Sequence, residues 1–214
     1  MRRLICLGLR IKVIYSKTDR AFLLVCTVAL RMYSTIYPSV KVEDIKTFLK
    51  HSLQFNLDYA AMLIECVPEE SRATIPGPGL ENHAAFTIGH LCTAYSLMSK
   101  YLGEKYCYDE SWDALFRRKG PGDPRIPSQD NSEFPTLKSL LSEFESKTAE
   151  LKLHISELED SRFNETVQWR FSGRFPTLSG LLIFMCITHT AMHLGQLSAW
   201  RRSIGLDSAL GKMS

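Results

Sequence analysis

The sequence has almost no excess of either charge, because 26 lysines and arginines stand against 23 aspartates and glutamates. It also lacks a basic stripe interleaved with aromatic residues, so DNA and RNA are not expected as partners. No Cys-x-x-Cys spacing occurs among its six scattered cysteines, Cys6, Cys26, Cys66, Cys92, Cys107 and Cys186. Most of these cysteines lie in apolar helical contexts. We therefore expect reduced thiols and a cytoplasmic location.

The N-terminal part has no apolar run long enough to cross a bilayer. Residues 1–35 form a basic leader in which the longest hydrophobic run is Ala21–Leu30, whereas a spanning helix needs about 20 residues. This run comes late, and no Ala-x-Ala cleavage pattern follows it, which is unlike a signal peptide. We favour translation starting near Met32, with the leader either an artefact of start assignment or a disordered segment. A degenerate export signal is the alternative.

The remaining composition, with 45% hydrophobic and 23% charged residues overall, is that of one globular domain. Residues 41–205 predict an all-α four-helix bundle, followed by a short tail at 206–214. The first helix is expected from Val42 up to Pro68. Its predicted buried stripe consists of Val42, Ile45, Phe48, Leu49, Ser52, Phe55, Tyr59, Met62, Leu63 and Cys66.

The second helix is expected to begin after Asn82 as its N-cap and to end at Gly103. Its predicted core stripe consists of Phe86, His90, Thr93, Ala94, Leu97 and Tyr101. A long connection broken by proline and glycine follows at 106–134. The same four residues, Phe-Pro-Thr-Leu, then open the third and the fourth helix, at 134–137 and 175–178. In both helices the threonine is the expected N-cap, and Gly205 is expected to end the fourth.

His189 and His193 lie four residues apart in the fourth helix, so both imidazoles can converge on one ion. A regular helix places them in the apolar sector that also contains Leu178, Leu182, Met185, Cys186, Gln196, Leu197, Trp200 and Ile204. Buried imidazoles need partners, and a metal would satisfy both rings at once. The alternative is two core histidines that are hydrogen-bonded to buried water or to the backbone.

A third ligand would have to come from another helix, and His90 lies at the centre of the second stripe. His83 shares that face but is two turns away, too far for the same ion. His51 and His154 lie on the flanks of their stripes, where solvent-facing or capping roles are expected. Three histidines with an open fourth position are typical of a catalytic rather than a structural metal site.

Two further side chains lie near the pair in sequence. Gln196 is one turn beyond His193 and is the one weak catalytic candidate, which could orient a bound water or ligand. An ordinary buried amide is its alternative role. Cys186 precedes His189 by three residues and could approach the ion, but a small hydrophobic residue needs no such role.

Several motifs occur together in a fixed order. They are Asn82…Phe86-Thr87-Ile88-Gly89-His90-Leu91, Trp112-Asp113-Ala114-Leu115-Phe116, Phe134-Pro135-Thr136-Leu137 and His189-x-x-x-His193-Leu194-Gly195-Gln196-Leu197…Trp200-Arg201-Arg202…Gly205. Over residues 41–205 the chain resembles the DinB-like superfamily, a metal-binding four-helix-bundle group that includes YfiT-type hydrolases and thiol-dependent S-transferases. The resemblance implies that His90, His189 and His193 bind a divalent metal, whereas the leader departs from the family pattern.

Three functions follow as hypotheses, each with a small-molecule ligand. The first is an enzyme that transfers a low-molecular-weight thiol, its cosubstrate, to an electrophile at the metal. The second is a metal-dependent hydrolase. No Glu or Asp lies between His189 and His193 as a base, which leaves a residue such as Asp58 of the first helix. The third is a metal-binding stress protein without turnover. Zinc or nickel is favoured by the ligand type, with iron or manganese as alternatives.

The face of the fourth helix opposite the histidines predicts a homodimer. It consists of small and apolar residues, Gly180, Phe184, Ile187, Ala191, Gly195 and Ser198, and ends at Arg202. Small side chains let a second helix approach closely, and isologous dimers are the commonest oligomers. Coverage of this face by the other helices of the same chain is the alternative.

Overall fold

The protein is all-helical over the residues described by its computed structural model, 41–120 and 122–212, and the predicted leader lies outside this range. The helices are α1 (Val42–Ile64), α2 (Ala84–Leu102), a short α3 (Glu110–Phe116), α4 (Leu137–Glu157) and α5 (Leu178–Ser203). Single 3-10 turns lie at Glu69–Ser71, Asn131–Glu133, Asp160–Asn164 and Leu210–Lys212. In the described part of the chain the only β pairing is one isolated bridge, between Thr166 and Thr177.

The four long helices form the predicted bundle, because α1 and α2 each pack against both α4 and α5. The short helix α3 packs on α2. It lies in the long connection between the second and third long helices, which the sequence pattern had left without structure. The described helices all belong to one compact unit that begins at Val42.

The helix ends show which capping predictions were correct. Thr136 and Thr177 cap α4 and α5 as expected, each accepting a hydrogen bond from the backbone N–H three residues later. The prediction of Asn82 as the N-cap of α2 was wrong. His83 holds that position, with extended backbone, and its Nδ1 accepts from the Phe86 N–H at 3.2 Å. Gly103 ends α2 in the left-handed region, at φ 112°.

The buried face of α1 differs from the predicted stripe. Phe48 and Phe55 are 60% and 52% exposed, whereas Lys46 and Asn56 are buried together with Leu49, Leu53, Ala60 and Leu63. Lys46 Nζ donates to the Leu158 carbonyl and pairs with Asp160, both at 2.7 Å. Asn56 Nδ2 donates to the Cys186 carbonyl at 2.9 Å. A hydrophobic pattern cannot identify buried polar residues whose hydrogen-bond partners are distant in the chain. The predicted stripe therefore included the exposed phenylalanines and omitted Lys46 and Asn56.

The C-terminal end of α1 also differs from the prediction. The helix ends at Ile64, four residues before Pro68, and Cys66 then adopts a positive φ of 60°. This left-handed conformation is uncommon for a residue with a side chain, and it cannot continue an α-helix.

The fourth long helix is not a regular α-helix. Its middle, Phe184–His189, has π geometry, and the Thr190 hydroxyl donates to the Met185 carbonyl five residues earlier at 3.0 Å. The wider turn shifts the angular position of later residues relative to earlier ones. Gln196, which a regular helix places in the buried sector, is exposed, whereas Leu197 and Trp200 of the same sector are buried.

Helix α5 is long and apolar enough by composition to cross a membrane, and it is the one helix among the described residues that meets this criterion. A third of its most apolar window is buried inside the protein. The helix packs against α1 and α2, and a core helix of a bundle meets the same criterion. Its composition alone therefore does not indicate a transmembrane segment.

The short helix α3 is held on α2 by aromatic packing at a glycine. Phe116 is fully buried, and a Cβ atom added to Gly89 would lie 2.3 Å from two of its ring atoms. Trp112 Nε1 donates to Thr93 Oγ1 at 3.0 Å, and the Tyr108 ring stacks on Trp112 at 4.4 Å. Glycine at position 89 is thus what allows α3 to approach α2 at the level of His90.

Because Phe116 is confined by the core, Gly89→Ala should lower the free energy of unfolding by about 1–3 kcal/mol, the usual cost of overpacking. Gly195→Ala is the matched control, since no atom outside its own helix lies within 4 Å of the added methyl. This control should be neutral or stabilising by up to about 1 kcal/mol. Urea unfolding followed by circular dichroism measures both. Equal stability of the two variants would show that α3 does not depend on this contact.

Candidate metal centre

Three histidines from two helices meet at one point of the bundle. His90 comes from the middle of α2, and His189 and His193 come from α5 at the junction of its π segment with the following α-helical turns. The ring centroids are 5.4 Å apart for His90 and His189, 4.7 Å for His90 and His193, and 4.5 Å for His189 and His193. One ring nitrogen from each residue lies within 4.8 Å of the other two. The structure therefore brings together the three predicted ligands.

The three rings are held where their charged forms are unfavourable. Burial lowers the pKa of His189 to about 4, and the neighbouring His90 adds to this effect. Burial also lowers the pKa of His193 to about 2, although the adjacent Gln196 side chain opposes the shift. The pKa of His90, which is 9% exposed, is lowered mainly by burial too. All three rings are neutral at pH 7, which is the form that binds a metal.

The orientation of the His90 ring is fixed from both sides. Its Nδ1 donates to the Phe116 carbonyl at 2.8 Å, so Nε2 is the nitrogen left for a ligand. The Phe86 ring stacks on it with centroids 5.5 Å apart and an interplanar angle of 11°. The carbonyl belongs to the last residue of α3, so the short helix positions this imidazole directly.

The other two rings have no comparable partner. Nδ1 of His189 and Nδ1 of His193 are buried and make no hydrogen bond with the described residues. Leaving buried polar atoms unpaired costs free energy, about 1–3 kcal/mol for each group. A cation bound through these two nitrogens would remove this cost, and neutral imidazole is a good ligand for zinc and nickel. The residues present therefore fit a divalent metal.

The remaining histidines lie elsewhere, as predicted. His83 caps α2, and its Nε2 lies 3.0 Å from the Ser128 carbonyl. His51 is exposed, and His154 Nδ1 lies 3.2 Å from Ser99 Oγ. None of these three rings belongs to the cluster that the described residues form.

The other side chains considered from the sequence have different environments. Cys186 is fully buried but does not join the three histidines. Asp58 is exposed on α1 and accepts a hydrogen bond from Gln54 at 2.8 Å. Gln196 is exposed next to His193, and its Oε1 accepts from Asn82 Nδ2 at 3.2 Å. Of the three, only Gln196 is adjacent to the centre.

Sequence reasoning missed the residues that support the centre from outside. Arg118 lies over the Phe86 ring, with its Cζ 4.3 Å from the centroid, and donates to Asn82 Oδ1 at 2.8 Å. The sequence pattern indicates Asn82 as a helix cap and as the first residue of a family motif, without a role at the centre, and Arg118 lies in a connection without helical periodicity. The Trp-Asp-Ala-Leu-Phe motif ending at Phe116 was the one signal that pointed to this region.

Because the three rings form the only candidate ligand cluster among the described residues, His90→Ala, His189→Ala and His193→Ala should each cut the bound metal sharply. Elemental analysis of purified protein after zinc loading and desalting measures the metal-to-protein ratio. His51→Ala is the matched control, because it removes an exposed imidazole that does not belong to the cluster. This variant should keep the wild-type metal-to-protein ratio. Full occupancy in a His90→Ala/His193→Ala double variant would refute the assignment.

The lowered pKa values also predict the pH dependence of the metal-free protein. Below the unfolded pKa of about 6.5, the unfolded chain binds protons that the folded rings do not. Stability should therefore fall from pH 6.5 to about 4, by up to about 1.4 kcal/mol per pH unit for each buried histidine. Urea unfolding at several pH values with a chelator present measures this. His189→Leu/His193→Leu should show a shallower slope, and an unchanged slope would contradict the account.

Comparison with known proteins agrees with this geometry. The family model of the DinB superfamily matches residues 52–197, which include α2, α4, all three histidines and most of α1 and α5. No curated protein and no solved structure matches the chain. The match covers more than half of the chain and spans the bundle that carries the site, so this protein belongs to the DinB superfamily.

Proposed function

We propose that the protein is a divalent-metal-dependent enzyme that transfers a low-molecular-weight thiol to an electrophilic small molecule. The observation that supports this most directly is the composition of the centre. Three neutral imidazoles converge there, and no carboxylate or cysteine of the described residues joins them. A centre of this type leaves a coordination position for an external ligand.

The absence of a carboxylate from this cluster favours a thiol over water as the nucleophile. Metal-dependent hydrolases of the His-Glu-x-x-His type use a carboxylate beside the metal as the general base for the attacking water. Asp58, the base considered from the sequence, is exposed and hydrogen-bonded to Gln54 on α1. A thiol is far more acidic than water and becomes the nucleophilic thiolate without such a base. When bound, the metal would lower the pKa of the thiol further and hold its sulfur near the electrophile.

The residues of the chain have distinct tasks in this proposal. His90, His189 and His193 would hold the metal, and the Phe116 carbonyl keeps the His90 ring in the required tautomer. Burial keeps all three rings unprotonated down to acidic pH, so the ligand set does not depend on pH near neutrality. Gln196 is exposed beside His193, where its amide could orient the incoming substrate.

A homodimer and a cytoplasmic location complete the proposal. Ala191, Gly195 and Arg202 on the back of α5 are exposed, and Phe184 and Ile187 are half-buried. Bundle packing therefore does not cover this face fully, which is compatible with a second copy packing there. In the described part of the chain the cysteines are free thiols, as expected for a reducing compartment.

The activity can be tested with 2-mercaptoethanol and 1-chloro-2,4-dinitrobenzene, in which the thiolate sulfur forms the new bond to carbon and chloride leaves. We expect the zinc-loaded protein to accelerate the increase in absorbance of the thioether product at least tenfold over the metal-free protein. His189→Ala/His193→Ala should abolish the acceleration, and His51→Ala should preserve it.

Two results would overturn this proposal. Equal rates with metal-loaded and metal-free protein would favour a metal-binding protein without turnover. Hydrolysis of p-nitrophenyl acetate that requires the metal but is unaffected by added thiol would instead favour the hydrolase.

A further inference from the structure

Arg118 places a positive charge one aromatic ring away from the histidine centre. It follows α3 by two residues, and its guanidinium lies 4.3 Å above the Phe86 ring. The same Phe86 ring also stacks with His90, whose ring is nearly parallel to it with the centroids 5.5 Å apart.

This charge has no acidic partner in the part of the chain that the structure describes. Arg118 donates to two neutral acceptors, Asn82 Oδ1 at 2.8 Å and the Arg125 carbonyl. The nearby Asp123 already forms an ion pair with Arg125 at 2.7 Å and also accepts from the Lys119 N–H. A guanidinium has five N–H groups, so Arg118 keeps donors for a further acceptor.

A short chain of hydrogen bonds holds Arg118 beside the exposed edge of the centre. Asn82 accepts from Arg118 and donates through Nδ2 to Gln196 Oε1 at 3.2 Å. Gln196 lies one turn after His193 and is exposed, as is Met192. The three polar side chains therefore come from three different segments and are linked by hydrogen bonds next to His193.

From this arrangement we infer that Arg118 binds an anionic group, most simply a carboxylate, on the thiol whose sulfur occupies the centre. The inference rests on the proposed function and narrows the substrate to small thiols that carry a negative charge. An unpaired, half-buried guanidinium with free N–H groups is suited to bidentate recognition of a carboxylate. Arg118 and His90 contact the same Phe86 ring, so the guanidinium carbon lies within about 10 Å of the centroid of the His90 ring.

A purely structural role for Arg118 makes a different prediction. In that role Arg118 would only hold the connection in place, through its hydrogen bonds to Asn82 and to the Arg125 carbonyl. Loss of the Arg118 side chain would then weaken the binding of every ligand equally. Recognition of an anion affects charged ligands alone. Mercaptoacetate and 2-mercaptoethanol are nearly equal in size and differ at one end, carboxylate against hydroxyl, so the pair separates the two roles.

The test is titration of both thiols into the zinc-loaded full-length protein by isothermal titration calorimetry. We expect wild type to bind mercaptoacetate about tenfold more tightly than 2-mercaptoethanol, as one charge-assisted contact provides. Arg118→Gln should remove this preference while leaving the affinity for 2-mercaptoethanol and the zinc stoichiometry unchanged. Arg117→Gln is the matched control, because it removes the same charge from the adjacent residue, which pairs with Asp113 instead, and it should keep the preference.

Arg118→Lys covers the case in which the glutamine variant does not fold, because it keeps the charge and loses the two-pronged geometry. It should retain part of the preference. Equal affinity of wild type for both thiols, or the same preference in Arg118→Gln as in wild type, would overturn the inference and leave the proposed function intact. Binding of neither thiol to zinc-loaded wild type would overturn the proposed function itself, and the inference with it.

Discussion

Three neutral imidazoles are held together between α2 and α5, and much of the surrounding structure serves to keep them there. Each ring is a polar group with a strong preference for water, and burial makes its protonation unfavourable. Only the His90 ring has its Nδ1 satisfied by the protein, through the Phe116 carbonyl. The Nδ1 atoms of His189 and His193 have no hydrogen-bond partner among the described residues. Two buried ring nitrogens without a hydrogen bond would be unfavourable in an ordinary core, but they are suited to binding a shared ligand.

The connection between α2 and α4 is therefore part of the site rather than a simple linker. Gly89 allows Phe116 to lie directly against α2, and the same residue then presents its carbonyl to His90. Two residues later the chain brings Arg118 over Phe86. The packing of α3 on α2, the orientation of the His90 ring and the position of the Arg118 charge thus all depend on a few consecutive residues. A substitution that disturbs the packing of α3 should also disturb the centre.

Much of the fold follows from sequence alone, because the signals are local. Thr136 and Thr177 after a proline specify helix starts, and Gly103 specifies a helix end, through backbone geometry that nearby residues determine. The convergence of His189 and His193 also follows from spacing along one helix. His90 as a candidate followed from its position at the centre of its stripe. In each case the physical cause lies within a few residues of the residue concerned.

The errors arise where partners are distant in the chain. Lys46 and Asn56 are buried because the carbonyls of Leu158 and Cys186 accept their hydrogen bonds, and no pattern within α1 reveals this. Gln196 follows the π segment of α5 and is exposed, although a regular helix places it in the buried sector. The place of Arg118 depends on packing between the connection and α2. Contacts of this kind have no periodic signature in the sequence.

A divalent metal held by His90, His189 and His193 can be detected by X-ray absorption at the zinc K-edge, measured on the zinc-loaded protein. We expect three imidazole nitrogens at about 2.0 Å from the zinc and no sulfur, with one sulfur appearing at about 2.3 Å when mercaptoacetate is added. Fewer than three imidazoles around the zinc, or a cysteine sulfur before any thiol is added, would rule this centre out.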